Sequence, residues 1–267
     1  MKSEITVNGT PIKVIHFPGG EMGVNINSRP DAFAVVFARI CDPHGVMALI
    51  NTVYAVREYT HNIDLILPYV PYARQDRVCN EGESLSIKAF ADMINMLGVN
   101  EVVICDPHSD VAPALIDRCR IIPQSSILRN TEKKLLVAPD FGATKKIEKF
   151  CQPYIQGTKQ RDLETGQLSG FGFHGDVEDQ DLLIVDDICD GGGTFIGLAN
   201  ELRNGGAKSV SLYVTHGIFS KGLGIFNGVL DEIWTTNSLP QVQDPSAKVN
   251  DLPGYKGFFK VMECIPA

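Results

Sequence analysis

The stretch Asp181 to Phe195, DLLIVDDICDGGGTF, constrains the fold of this chain more than any other. Leu182 to Val185 is a short apolar run, the composition of a strand buried on both faces of a parallel sheet. It ends in two adjacent carboxylates, Asp186 and Asp187. Asp190 then leads into Gly191, Gly192, Gly193 and Thr194, and FIGLANELRN reads as an amphipathic helix. A strand, an acidic turn, a glycine loop and a helix in that order present free backbone N–H groups and a helix N-terminus to a phosphate. The acids beside them suit sugar hydroxyls or a hydrated divalent cation. The loop is neither GxxxxGK[ST] nor GxGxxG, so the usual mononucleotide and dinucleotide motifs are excluded. A plain turn seldom needs three acids beside three glycines.

The same grammar recurs along the chain. Strands are expected at Ile12 to Phe17, Ala32 to Ala38, Ile63 to Leu67, Val102 to Cys105, Leu135 to Ala138, Val210 to Val214 and Glu232 to Thr235. Helical periodicity covers Gly45 to Glu58 and Ser84 to Leu97, with Gly98 as a C-cap. This alternation predicts an α/β fold with mostly parallel sheets. Functional-looking residues keep falling just after strand ends, at Asp106 to His108, Asp140, Asp186 to Asp190 and His216, which is where open α/β sheets bind ligands. Asp110 is expected to cap the helix after it, and Lys145, Lys146 and Lys149 to form an exposed helix face. His216 is left unassigned. The division into two related halves is expected near Ile122 to Asn130. Gly157 to Asp176 has little periodicity and is read as a mobile functional loop or an extended hairpin.

Composition narrows the function. A net charge of −8 argues against a broad nucleic-acid footprint and a polybasic membrane face, but not against small anions held by a local field. No run approaches the length of a membrane-spanning helix, and the first residues lead into strand-like sequence with no sign of a signal peptide. The seven cysteines are scattered, with no CxxC pair, which disfavours zinc and fits reduced thiols in a cytoplasmic protein. Cys189 has no histidine beside it in sequence to make it a nucleophile.

Seven collinear motifs, FPGGE, PYARQDR, DPHSD, APD-GA, the K-x-R of the long loop, VDDICDGGGT and THGIFS, resemble those of the ribose-phosphate diphosphokinases. These are the phosphoribosyl pyrophosphate synthetases, and the chain is similar to a divergent, short branch of them. The resemblance implies two phosphoribosyltransferase-type, Rossmann-like domains. Residues 1–125 form the ATP side and 126–267 the ribose 5-phosphate side, the last residues packing back on the first domain. It implies Mg²⁺-dependent transfer of the β,γ-diphosphoryl group of ATP to the C1 hydroxyl of ribose 5-phosphate, in a cytoplasmic homo-oligomer between dimer and hexamer. Arg74, Gln75, Asp76 and His108 then match residues that hold ATP, and Phe17 and Glu21 a segment that contacts adenine from a neighbouring subunit. His108 and Asp140 match the metal-associated positions. Asp186, Asp187 and Asp190 match the acids on the ribose hydroxyls, which also help hold metal. Gly191, Gly192, Gly193 and Thr194 match the 5-phosphate loop, and Lys159 with Arg161 the catalytic cation pair. Charge developing on phosphoryl oxygens is what such cations and Mg²⁺ stabilise.

The family's sugar-phosphate loop runs D-T-x-G-T, and here it is D-G-G-G-T. Gly191 thus replaces a threonine that serves the phosphate, so the acceptor is either ribose 5-phosphate or a larger ester of it such as ADP-ribose, the latter in NAD rebuilding. A phosphoribosyltransferase shares the acidic stretch but not PYARQDR. A non-catalytic synthetase-like subunit is expected to have lost the metal residues or the cation pair, and both are present.

Overall fold

A computed structural model describes residues 2–129, 131, 133–161, 168–240 and 255–265, with backbone only at 159–161 and 168–169. The chain divides into two compact units. One runs to Pro123 and takes in 238–240; the other is Gln124–Asn237 with 255–265.

In the first unit β1 (Glu4–Val7) and β2 (Thr10–Pro11) are followed by the hairpin of β3 (Lys13–His16) and β4 (Met22–Asn25). Then come β5 (Ala34–Arg39), α1 (Pro43–Arg57), β6 (Ile63–Leu67), α2 (Ser86–Met96), β7 (Glu101–Cys105), α3 (Val111–Leu115) and β8 (Cys119–Ile122). The sheet order is β2-β1-β5-β6-β7-β8. β5 to β8 are parallel and β1 and β2 antiparallel additions at one edge. Helices cover the apolar strands, and Leu49, Val53, Leu65, Leu67, Phe90 and Ile104 are wholly buried between them. α1 begins where Asp42 accepts the Gly45 N–H at 2.8 Å, and Pro43 at the first helical position needs no partner. α3 departs from expectation: the Asp110 side chain makes no cap bond, and Ser109 Oγ accepts from Val111 N instead.

The second unit holds α4 (Gln124–Ile127), β9 (Leu135–Ala138), α5 (Phe141–Ile147), β10 (Tyr154–Arg161), β11 (Leu168–His174), β12 (Asp181–Cys189), α6 (Gly193–Asn204), β13 (Ser209–Gly217), β14 (Glu232–Thr236) and β15 (Phe258–Met262). Its sheet runs β11-β10-β9-β12-β13-β14-β15, parallel except for β11. α6 turns Phe195, Leu198, Ala199 and Leu202 onto that sheet, each large apolar side chain contributing about 1.5–3 kcal/mol by leaving water.

Two expectations change in detail. β12 does not stop at Val185. Its pairing with β13 continues through Asp186↔Val214 to Cys189↔Gly217, so Asp186 and Asp187 belong to the strand. The ladder supplies their backbone partners, and this overrides the poor strand propensity of aspartate. The Gly157 to Asp176 stretch takes the second of its two readings, the extended hairpin: Gln156↔His174 through Arg161↔Leu168 pair antiparallel, with a bulge at Gln160/Arg161. Residues 162–167 lie outside the described part.

Candidate active site

In the second unit the carboxyl ends of β9 and β12 carry the acids. Asp140 caps α5, its Oδ1 accepting from Gly142 N at 2.9 Å and Ala143 N at 3.2 Å. Asp187 is 5% exposed, and its N–H donates to Asp186 Oδ1 at 2.8 Å. Burial, the neighbouring Asp187 charge and, more weakly, Asp140 hold the Asp186 carboxyl well above the usual carboxylate range. Asp140, Asp186 and Asp187 are therefore electrostatic neighbours. Lys146 joins them, its Nζ 3.5 Å from Asp187 Oδ2 with a side chain only 19% exposed. This corrects the reading of Lys146 as part of a solvated helix face. α5 turns this lysine inward to offset the carboxylates. Gln124 Nε2, donating to the Asp186 carbonyl at 2.7 Å and to Thr215 Oγ1, braces the same strand.

Beyond Cys189 the chain enters the glycine loop. Ile218 N and Phe219 N both donate to the Cys189 carbonyl, at 2.8 and 3.0 Å, and Ser220 N donates to that of Asp190 at 3.1 Å. The loop is thus clamped to the segment after β13 through three backbone hydrogen bonds. The three glycines differ. Gly192 has φ +75°, and a Cβ there would lie 2.6 Å from Phe226 Cζ. At Gly191 a Cβ would meet only Lys221, at 3.6 Å, and at Gly193 nothing within 4 Å. Cys189 is fully buried, and burial followed by the Asp186 and Asp190 charges raises its thiol far from thiolate chemistry.

In the first unit His108 follows β7 by way of Asp106, which is buried and left-handed at φ +38°. Tyr72, just before Arg74, is left-handed at φ +64°. Phe219 of the second unit, in THGIFS, is a third such residue at φ +46°. Non-glycine residues in this region store strain and concentrate at ligand sites. Ala73 is buried and anchors its segment, while Arg74 and Gln75 are exposed and Asp76 receives Arg77 Nε at 3.6 Å. Phe17, 50% exposed, and Glu21 line a hollow of about 470 Å³ with Met22, Pro43, His44 and Met47.

The backbone of Lys159 and Arg161 lies in β10, paired to Phe171 and Leu168, and their side chains fall outside the described part. Asp190 and Thr194 lie on the clamped loop and at the start of α6. Among the described residues no group of three His, Cys, Asp or Glu could encage a metal ion, so a cation here would keep most of its water. Lys146, Gln124 and Lys221 were not read as site residues from sequence; only their tertiary neighbours mark them.

Residues 1–98 match the N-terminal domain of ribose phosphate pyrophosphokinase and 158–224 the phosphoribosyl transferase domain. The Aquifex aeolicus ribose-phosphate pyrophosphokinase is 31% identical over 257 residues, 90% of this chain and 83% of the relative. The Pyrococcus furiosus protein of that name is 30% identical over 262 residues, 91% and 90% of the two chains. The Mycoplasmopsis pulmonis one is 32% identical over 196 residues, 68% of this chain and 61% of the relative. The crystal structure of phosphoribosylpyrophosphate synthetase from Mycobacterium smegmatis shares the fold, with a TM-score of 0.75 at 24% identity over 94% of this chain and 85% of that one.

Proposed function

The chain belongs to the ribose-phosphate pyrophosphokinase family, and on that premise we propose that it transfers the β,γ-diphosphoryl group of ATP to the C1 hydroxyl of ribose 5-phosphate. The products are phosphoribosyl pyrophosphate and AMP. The observation that carries this reading is the joined pair of devices at the end of β12: a carboxylate cluster offset by Lys146, then a backbone-clamped glycine loop opening α6. Carboxylates accept from vicinal sugar hydroxyls, and the loop N–H groups with the helix dipole receive the 5-phosphate.

The division of labour follows the units. Residues 1–125 form the ATP side, where Arg74, Gln75, Asp76 and His108 hold the nucleotide. Phe17 and Glu21 serve the adenine of a neighbouring copy in a homo-oligomer. Residues 126–267 form the acceptor side, where Asp186, Asp187 and Asp190 orient the ribose and Gly191 to Thr194 take its phosphate. Lys159 and Arg161 neutralise charge developing on the transferred group. Carboxylate oxygens on Asp140 and the β12 acids would suit Mg²⁺ on the acceptor side, and His108 is the metal-associated position of the ATP side; ligands so few leave the ion most of its waters. When bound, the ion supplies charge neutralisation on the phosphates. Lys146, by contrast, holds the Asp187 carboxylate in place before any substrate arrives.

A second reading keeps the chemistry and takes ADP-ribose as acceptor, placing the enzyme in NAD metabolism. The room at Gly191 and Gly193 favours it. Release of AMP from ATP and Mg²⁺, measured with each acceptor separately, decides. Turnover with ADP-ribose and none with ribose 5-phosphate sinks the first reading, and no AMP with either sinks both.

A further inference from the structure

Gly191 and Gly192 are adjacent and look interchangeable, yet only one is demanded by the backbone. Gly192 is left-handed, and a side chain there would strike Phe226 and Ile225. Gly191 is in neither situation. A Cβ at Gly191 would sit 3.6 Å from Lys221 Cε and 4.0 Å from Lys221 Cδ, ordinary contact distances. Among the described residues, then, nothing forbids a larger residue at Gly191. What fills the space beside it is the stem of Lys221.

That stem is well placed. Ile218, Phe219 and Ser220 are tied to the carbonyls of Cys189 and Asp190. Phe219 is left-handed at φ +46°, and its ring is buried edge-on against Phe226 and Phe259 at centroid distances of 6.3 Å each. Gly222, at φ +72°, closes the turn through its N–H to the Phe219 carbonyl at 2.8 Å. Lys221 is the exposed residue at the crown of this turn. Among the described residues it makes no ion pair or hydrogen bond. Its ammonium is one bond beyond Cε, on the side chain whose stem lies nearest Gly191.

We infer that Lys221 is a specificity-determining residue of the acceptor site, binding the phosphate on the ribose 5-oxygen in place of the donor that Gly191 does not carry. The inference rests on the acceptor assignment of the loop made above. A lysine reaches as a mobile point charge, where a hydroxyl on the loop fixes one hydrogen-bond direction. It therefore accepts either a phosphate monoester or the proximal phosphate of a diphosphate with a further group attached.

The test is calorimetric titration of ribose 5-phosphate, ADP-ribose and unphosphorylated ribose into the wild type, Lys221→Ala and Lys221→Arg, alongside steady-state AMP release. Lys221→Ala is expected to weaken both phosphorylated acceptors about 10- to 100-fold, the worth of one charge-assisted hydrogen bond. The acceptor KM should rise by the same factor, while kcat, the ATP KM and ribose binding stay as they were. Lys221→Arg should recover most of the loss. Gly191→Thr in the Lys221→Ala background should recover ribose 5-phosphate binding, because it restores a hydroxyl where the stem has been removed. An alanine variant that binds both acceptors as the wild type does overturns the inference and leaves the acceptor assignment standing. So does an arginine variant as weak as the alanine one. A wild type that binds neither acceptor overturns both together.

Discussion

The glycine loop and the β10–β11 hairpin belong to one unit and are held in opposite ways. The loop is fixed where it acts: three backbone N–H groups of 218–220 close on Cys189 and Asp190, and Gly192 is wedged beside Phe226. The hairpin leaves the parallel sheet at its base and is held beyond it by one face. β10 pairs with β9 at Tyr154, Ile155 and Gln156, and Gly157 is the point of departure, where a Cβ would lie 2.7 Å from the Ala138 carbonyl oxygen. Beyond Gly157 the only described strand partner of β10 is β11, and that is where Lys159 and Arg161 are carried. Phe173 beside Gly205, opposite Gly157, and Phe171 over Gly197, opposite Lys159, seat this stretch of β11 against α6 and the turn after it. The difference separates two jobs. Donors that bind a phosphate gain from being rigid beforehand, whereas cations that serve the reacting phosphates gain from a mount that can approach and withdraw.

The sharpest way to break this division is Lys159→Ala. Turnover should fall about a thousandfold, since removing one preorganised donor to transition-state charge costs that order of rate, while the KM values for ATP and acceptor change little. Steady-state AMP release measures both. An unchanged kcat would remove the hairpin from catalysis and leave only the loop assigned. A smaller effect tests the loop. Gly192→Ala must hold a left-handed alanine against Phe226, so urea unfolding should show a loss of about 2–4 kcal/mol. Gly191→Ala, next to it, should stay within about 0.5 kcal/mol of wild type. Equal losses at the two positions would erase the distinction between them.

Smaller again is Gly197→Ala, which probes the seat of the hairpin. In an open helix interior, replacing glycine by alanine stabilises by about 1 kcal/mol. Here a Cβ would lie 2.0 Å from Phe171 Cε2, so the ring must move, and a cost of about 1–3 kcal/mol is expected in the same unfolding experiment. Because the ring belongs to β11, turnover should fall with no change in acceptor KM. A stabilised variant would show that the hairpin base yields freely.

Sequence patterning reached the residue level at Ile63–Leu67 and Leu135–Ala138, apolar runs bounded by polar residues, and came within a few residues at Ala34–Arg39 and Glu101–Cys105. It failed where tertiary pairing overrode composition. Asp186 and Asp187 look like the end of a strand, but β13 carries the ladder on past them to Gly217. The motifs marked Asp186, Asp187 and the glycine loop as one stretch, because local sequence encodes the end of a strand and the start of a helix, but Asp140 was grouped with the ATP-side residues, and only the fold brings its charge beside Asp186. Lys146 was misread because its partner, Asp187, is remote in sequence and a lysine on a short helix carries no local mark of being turned inward. The left-handed Asp106 and the approach of Lys221 to Gly191 are likewise set by distant backbone.

The smallest expected effect concerns what the acceptor side costs the fold. Burial and the charge of Asp187 raise the Asp186 carboxyl above its unfolded value, which is about 3.9, as for an unperturbed aspartate. Over the window between the two values the native state binds more protons than the unfolded state, so stability falls as pH rises through it. Below that window the group is protonated in both states and contributes nothing. Above it, the native state carries an unfavourable buried charge. An asparagine side chain in its place cannot ionise. Asp186→Asn should therefore match wild type in strongly acidic buffer, pull ahead by a few degrees in melting temperature at neutral pH, and lose activity with the sugar contact. Gly191→Ala removes no titrating group, so its stability relative to wild type should show no such pH dependence. If Asp186→Asn gains nothing at neutral pH, then Lys146, 3.5 Å from Asp187, already offsets the pair in full. In that case Lys146→Met would expose the penalty that the lysine conceals, lowering the neutral-pH melting temperature when Asp186 is present and leaving it unchanged in the Asp186→Asn background.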